Sequence, residues 1–488
     1  MGGSGLVMKE MLKRRDFLKT VGLAATSLAM PQGSVFSQRA SAAAQPPNFV
    51  IIFCDDLGYG DIGCFGSTKN RTPNLDRMAA EGTRFTSFYV TSGVCTPSRS
   101  SLMTGCYPRR VNMHQNDTGL CVLFPVNKKG LNPQEITIAE ILKAQGYATA
   151  CIGKWHLGDQ PVFLPTRQGF DYYYGIPYSN DMGSREGTNY PPLPLLRNEK
   201  VIEAPADQDT LTKRYTEEAV KFIKENKARP FFIYLPHTMP HVPLHVGEAF
   251  RGRSANGQYG DVIEELDWSV GQILQSLAEL NLAGKTLVVF TSDNGATAGQ
   301  GRSNGPLRGY KGTTWEGGHR EPCIVCWPDH VPPGKTCDEL TTTMDLLPTF
   351  ARLARTEAPG DRIIDGKDIW PLMSGKSGAK SPHEAFYYYQ MDQLQAIRCG
   401  KWKLHLPLEQ KKKNWGEPTL DVPLQLYDLQ ADIGETNNVA DEHPDVVERL
   451  LALAEKARQD LGDVDRPGKG QRPAGWVENP RPLLLESK

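Results

Sequence analysis

Apolar runs of strand length alternate with helical patterns through most of this chain, and two of those runs end in paired acids. Asn48–Cys54 is a continuous apolar run, the pattern of a strand buried on both faces. Segments 147–152, 231–235 and Thr286–Ser292 repeat it. Between them, Thr72 and Pro73 open a short helix that Gly82 ends, 136–145 is an amphipathic helix stopped by Gly146, and 261–280 is a long helix. This order predicts an α/β fold with a large, mostly parallel sheet flanked by helices. Segments 190–205 and 300–318, bearing Pro and Gly, read as long loops of the kind that line a site. After about residue 380 the texture changes to short antiparallel strands (386–389, 396–398, 402–404, 424–428) and one amphipathic helix, 446–461. The expected organisation is a signal segment (1–44), a catalytic domain (46–380), a smaller α+β C-terminal domain (381–465) and a flexible Pro- and Gly-rich tail (466–488).

The 488 residues carry a net charge of -1, which predicts neither nucleic-acid nor membrane-surface binding. An anionic substrate would be drawn by local charge. Near the N-terminus, Lys13-Arg14-Arg15-Asp16-Phe17-Leu18-Lys19 matches a twin-arginine export signal. The apolar stretch 21–30 is too short to span a bilayer, and the small residues 40–44 offer a cleavage site. The expected address is therefore periplasmic or secreted, with the twin-arginine machinery as a partner and no membrane span once the signal is removed. The ten cysteines lack the dense spacing of a disulfide scaffold. Cys323-Ile324-Val325-Cys326 lies in an apolar strand with no partner pair and reads as buried thiols, not a metal or redox motif.

In open α/β sheets, ligands bind at the carboxyl ends of the strands. Asp55-Asp56 follows one strand and Asp293-Asn294 another, so neighbouring strands would bring three carboxylates and an amide together. Such a group repels itself unless a cation sits within it, and oxygen ligation selects Ca²⁺, or less favourably Mg²⁺, over zinc. Cys95 directly precedes a predicted helix with Pro97 in its first turn, and the helix N-terminus favours negative charge on a nucleophile or bound anion. Arg99 follows one turn later. Lys154 and His156, two apart in an extended segment, face one side, suiting an anion contact and a proton carrier. His237, His241 and His245 invite a zinc reading, but the intervening prolines break any shared helical face, which leaves a loop histidine as a general acid. Lys311 sits in a Gly-rich loop.

Cys95-Thr96-Pro97-Ser98-Arg99, closed by Met103-Thr104-Gly105, resembles the signature of the type I, formylglycine-dependent sulfatases. The resemblance covers roughly residues 46–460. Segments 163–170, 175–179 and 311–322 place it near the arylsulfatase A and N-acetylgalactosamine-6-sulfatase branch. It implies an alkaline-phosphatase-like fold and hydrolysis of a sulfate monoester, on a sulfated small molecule or glycan. It further implies that Cys95 is oxidised to formylglycine by a maturation enzyme, and that Asp55, Asp56, Asp293, Asn294 and the modified residue bind Ca²⁺. Arg99 would steady the aldehyde hydrate, Lys154 and Lys311 would grip sulfate oxygens, and Ser179 would add a contact. The hydrate attacks sulfur as Asp293 takes its proton, His241 protonates the leaving alcohol, and His156 removes the second hydroxyl proton to expel sulfate. Two other readings share these residues: a phosphonate or phosphate diester hydrolase of the same superfamily, and a non-catalytic glycan-binding protein if Cys95 stays unmodified.

Overall fold

Strand β1 (Asn48–Cys54) lies inside an eleven-stranded mixed sheet: all seven of its residues are buried and both of its edges are paired. The structure, a computed structural model, describes residues 46–299 and 301–486. The expected signal segment falls outside the described residues. The other long strands are β2 (Thr83–Tyr89), β3 (Ala148–Ile152), β4 (Tyr172–Gly175), β5 (Leu195–Arg197), β6 (Lys200–Glu203), β7 (Phe231–Pro236), β8 (Thr286–Ser292), β9 (Arg320–Cys326) and β10 (Lys335–Cys337). Their order is β10-β2-β9-β8-β1-β7-β3-β4-β5-β6, and Thr341–Thr342 adds to β2. The central block β8-β1-β7-β3-β4 is parallel throughout, and antiparallel pairs join it to β9 on one side and to β5 on the other.

Alternate residues of β1 enter two apolar layers: Val50, Ile52 and Cys54 in one, Phe49, Ile51 and Phe53 in the other. Helices α1 (Pro73–Glu81), α4 (Leu211–Asn226) and α5 (Gly257–Glu279) cover the first layer, and α3 (Ile138–Ala144) and α6 (Leu346–Leu353) cover the second. A capping box starts α3, where the Thr137 hydroxyl accepts from the Glu140 N–H and the Glu140 carboxylate accepts from the Thr137 N–H. Helix α2 (Cys95–Thr104) is different, because all ten of its residues are buried. No helix among the described residues is long and apolar enough to cross a membrane.

The C-terminal part forms a four-stranded antiparallel sheet. Its strands are β11 (Phe386–Gln390), β12 (Gln393–Cys399), β13 (Trp402–His405) and β16 (Gln425–Asp428), with α7 (Pro444–Leu461) packed on it. Between β13 and β16 a separate hairpin, β14 (Leu408–Lys411) and β15 (Thr419–Val422), projects from the sheet.

Two expectations need correction. Segment 190–205 is not all loop, because β5 and β6 form a hairpin at the sheet edge. Its turn is made by Asn198, whose φ of 54° is a conformation asparagine tolerates well. The segment after residue 466, expected as a flexible tail, is tied down by polar contacts. Gly475–Trp476 pairs with Lys129–Gly130, Arg472 donates twice to Glu135 at 2.8 and 2.9 Å, and the Arg481 N–H donates to Gln160 at 2.8 Å. Those bonds give no apolar period, so the segment reads as a tail in sequence.

Candidate active site

The parallel register aligns Cys54 with Ser292, so the acid pairs that follow β1 and β8 emerge side by side. The Asp293 N–H donates to the Cys54 carbonyl at 3.0 Å, the Asp56 N–H to Asp293 Oδ1 at 3.2 Å, and Asn294 Nδ2 to Asp56 Oδ1 at 2.7 Å. Asp56 takes a left-handed conformation, φ 69°, turning the chain sharply at the strand end. All four side chains are buried.

Helix α2 meets this group with its N-terminus. Val94 is its extended cap residue and supplies no side-chain bond, so the first-turn donors, the N–H groups of Cys95 and Thr96 (Pro97 has none), receive no cap from it. One ligand atom each from Asp55, Cys95 and Asp293 lies within 4.8 Å of the others, and the same holds for Asp55, Asp56 and His241. Arg99, one turn into the helix, donates to Asp293 Oδ2 from Nε at 3.0 Å and from Nη2 at 2.7 Å, and to the Lys154 carbonyl from Nη1 at 2.9 Å. It thereby ties α2, β8 and the segment after β3 together.

Both lysines reach the acids. Lys154 Nζ lies 2.5 Å from Asp55 Oδ2 and 3.1 Å from Ser179 Oγ, while Lys311 Nζ lies 2.7 Å from Asp56 Oδ1. His241 places Nε2 3.8 Å from Asp56 Oδ2 and donates from Nδ1 to the Val242 carbonyl at 2.6 Å, which fixes the tautomer. His156, also left-handed at φ 61°, donates from Nε2 to the Leu123 carbonyl at 2.9 Å and leaves Nδ1 buried and unpartnered. The residues given roles from the sequence, namely Asp55, Asp56, Cys95, Arg99, Lys154, His156, Ser179, His241, Asp293, Asn294 and Lys311, thus converge at one place. The other two histidines of the Pro-rich loop do not join them: His237 meets Ser269 Oγ at 3.2 Å and His245 meets Asp209 at 2.8 Å. Cys323 and Cys326 are free, buried thiols.

Charge and burial set the protonation of the group. Burial would raise Asp55, but Lys154, then His241 and Arg99, outweigh it and hold the carboxyl well below the usual range. Asp293 moves the other way, pushed up to about 7 by burial and by Asp55 against the pull of Arg99. Burial lowers His241, with Lys311 adding to it, and lowers His156 strongly, with Lys154 adding to it. Burial raises the Cys95 thiol to about 11 against Lys154 and Lys311. A thiol so protonated at neutral pH is a weak nucleophile.

The donor set fits a hard cation. Asp55 Oδ1 and Asn294 Oδ1 are buried without a hydrogen-bond partner, and the remaining donors of the quartet are carboxylate oxygens. The Cys95 sulfur is the one soft atom beside them, and an oxygen at that position would complete the set.

A second buried group adjoins the Lys311 loop and has no signal in sequence. Glu316 accepts from Lys403 Nζ at 2.9 Å, from the Tyr388 hydroxyl at 2.8 Å and from the Tyr89 hydroxyl. Glu435 accepts from Lys403 Nζ at 2.9 Å, from His405 Nε2 at 2.8 Å and from the Glu316 N–H at 2.8 Å. The C-terminal sheet thereby clamps the short helix Glu316–His319 that follows Lys311.

A family profile described as Sulfatase matches residues 47–356, and one described as C-terminal region of aryl-sulfatase matches 381–474. Arylsulfatase A of Homo sapiens is 41% identical over 453 residues, covering 84% of this chain and 88% of that protein. N-acetylgalactosamine-6-sulfatase of Canis lupus familiaris is 40% identical over 383 residues, covering 75% of this chain and 73% of that protein. Among solved structures, a Bacteroides thetaiotaomicron chain described with the metabolism of multiple glycosaminoglycans matches with a TM-score of 0.74 and 31% identity, covering 85% of this chain and 100% of that one.

Proposed function

The chain belongs to the sulfatase family, whose members are sulfuric ester hydrolases, and on that premise we propose that it cleaves the sulfate monoester of a sugar or glycan through a formylglycine made from Cys95, with Ca²⁺ beside it. The observation that carries this reading is the convergence of two in-register strand ends, bearing Asp55-Asp56 and Asp293-Asn294, on the N-terminus of the helix begun by Cys95. The names of the similar proteins, an N-acetylgalactosamine-6-sulfatase and a glycosaminoglycan-metabolism protein, support a sulfated saccharide as the substrate class.

Formylglycine supplies an aldehyde hydrate as the nucleophile, and the cation supplies positive charge that lowers the nucleophile's pKa. Asp55, Asp56, Asp293, Asn294 and the side chain at position 95 would hold the ion. Asp293, gripped by Arg99, stands beside position 95 as the proton acceptor. Lys154 and Lys311 are the cations for the sulfate oxygens, with Ser179 hydrogen-bonded to the first. His241, its Nδ1–H committed to Val242, has Nε2 free to carry a proton to the leaving alcohol. His156, its Nε2–H committed to Leu123, has Nδ1 free to act as a base. A twin-arginine signal fits this chemistry, because that route carries folded, already modified protein to the periplasm.

The test pairs mass spectrometry of the Cys95 peptide, from protein made with a formylglycine-generating enzyme, with hydrolysis of 4-nitrophenyl sulfate. The expected result is a loss of about 18 Da at Cys95 together with calcium-dependent sulfate release that Cys95→Ala abolishes. A fully converted sample that turns over phosphonate esters but no sulfate ester would overturn the reading.

A further inference from the structure

The tip of the β14–β15 hairpin reaches the turn that carries Lys311. A methyl group added at Gly312 would come 2.5 Å from Trp415 Cζ3 and 3.0 Å from Asn414 Nδ2, so the indole lies directly against that glycine. Gly312 in turn donates its N–H to the Gly93 carbonyl at 2.8 Å, two residues before Cys95. The indole edge is therefore separated from the catalytic cluster by a single backbone turn. Yet Trp415 is 59% exposed, and Tyr310, on the other side of Lys311, is 48% exposed. Two exposed aromatic rings beside the Lys311 loop offer flat apolar surface to a ligand.

Hydrogen bonds tie the base of this tip to the C-terminal sheet, and the sheet to the Lys311 loop. Gln395 Nε2 donates to the Lys412 carbonyl at 2.8 Å, and the same Gln395 accepts from Thr314 Oγ1 at 2.9 Å, which ties the hairpin to the Lys311 loop. Lys412 Nζ is neutralised by Asp392 at 2.8 Å, and Lys411 Nζ lies over the Trp315 ring, 5.1 Å from its centroid. Lys413, next along the chain, is exposed and makes no ion pair among the described residues. A flat aromatic surface and an exposed ammonium two positions earlier on the same hairpin tip have a definite chemical complement. The apolar face of a pyranose stacks on the indole, and an anionic group on that sugar or its neighbour meets the lysine.

We propose that Trp415 and Lys413 form a binding platform for the saccharide chain that carries the scissile ester, so that this enzyme acts on a sulfated oligosaccharide carrying a further sulfate or carboxylate. The proposal rests on the sulfatase reading above. It distinguishes this chain's substrate from an isolated aryl or steroid sulfate, which has no second anion to place on Lys413.

The experiment uses the full-length, matured protein and two kinds of probe: 4-nitrophenyl sulfate as substrate, and chondroitin 6-sulfate and heparin hexasaccharides as competitors. The expected result is inhibition of the wild type by at least one hexasaccharide. Trp415→Ala should then weaken that inhibition by about ten-fold, as loss of one stacking surface does. Lys413→Gln should weaken it by about three-fold or more at low salt and flatten its salt dependence. Both variants should keep kcat and KM for 4-nitrophenyl sulfate within about two-fold of the wild type. Lys413→Gln does not touch Gly312, so it separates ligand binding from any support the hairpin gives the loop. Hexasaccharides that fail to inhibit active wild type, or inhibition unchanged in both variants, would overturn the platform while leaving the sulfatase reading intact. Equal loss of 4-nitrophenyl sulfate turnover and of inhibition would assign the hairpin to loop support and also overturn it. Absence of 4-nitrophenyl sulfate turnover in fully converted wild type would instead count against the sulfatase reading.

Discussion

Lys403→Met tests how the C-terminal sheet holds the Lys311 loop. Lys403 is fully buried, with Nζ 2.9 Å from both Glu316 Oε1 and Glu435 Oε1. Removing it strands two buried carboxylates that are not equally provided for. Glu316 keeps two tyrosine hydroxyls and Arg320 at 3.5 Å. Among the described residues Glu435 keeps the Glu316 N–H and His405, and burial holds His405 well below its ordinary pKa, so it brings no charge. Breaking a buried pair by removing one partner costs about 3–5 kcal/mol. The cost should depend on pH. Burial already raises Glu435 to about 7 against the pull of Lys403. A carboxyl with a folded pKa above its unfolded value contributes stability that is present at low pH and is lost as pH rises through the folded pKa. Without Lys403 that folded pKa rises further, so the loss continues above 7. Urea denaturation followed by tryptophan fluorescence should therefore show the full deficit at pH 8.5. At pH 5.5, where Glu435 is protonated, the deficit should be smaller by at least about 1.4 kcal/mol, one pKa unit's worth. Adding Glu435→Gln should recover part of the loss at pH 8.5. An equal deficit at both pH values, or a double variant no more stable than the single one, would refute the charge argument and leave a packing defect as the cause.

Calcium at about one hundred times its Kd should stabilise the wild type by about 2.7 kcal/mol; a thermal-shift series on Asp55→Asn should show almost none of this, and an equal response would remove Asp55 from the ligand set. His241→Gln should slow a sugar sulfate, a poor leaving group, by about 10²–10⁴-fold while sparing 4-nitrophenyl sulfate, whose phenolate needs little protonation; equal losses on both would remove His241 as the general acid. Gly312→Ala forces a side chain into a φ of 79° and against the Trp415 ring. The backbone part should cost about 1–2 kcal/mol in chemical denaturation, and Trp415→Ala should relieve the remainder; full relief would show that the backbone strain argument is wrong. Arg472→Ala removes the double contact to Glu135, and limited proteolysis followed by mass spectrometry should then trim the chain beyond residue 466 faster than in the wild type.

The parts of this protein that were readable in sequence are those whose cause is local. β1 and β8 declare themselves because a strand buried on both faces must be apolar throughout, and the carboxyl ends of such strands are where a parallel sheet binds its ligands. That rule, taken together with the Cys95 motif, pointed to Asp55, Asp56, Asp293 and Asn294 and to the helix facing them. Helix α2 shows the limit of periodicity, because polar residues (Thr96, Ser98, Arg99, Ser100, Ser101, Thr104) lie buried around it and leave no apolar stripe to mark its turns. The hairpin at Asn198 was hidden by prolines on either side of it. The Glu316–Lys403–Glu435 group was invisible for a different reason: its members lie 87 and 119 residues apart, and a charged residue in sequence reads as solvent-exposed until its partner is known. Trp415 belongs to the same class, since its meaning comes from the glycine it lies against and not from its neighbours in the chain. The chemistry of the bond broken is therefore written in short motifs at strand ends, whereas the identity of the molecule that carries the bond depends on contacts between distant segments. It follows that sulfatases sharing all the motif residues can still differ in substrate, and that the hairpin tip beside Gly312 is the place in this chain to look for the difference.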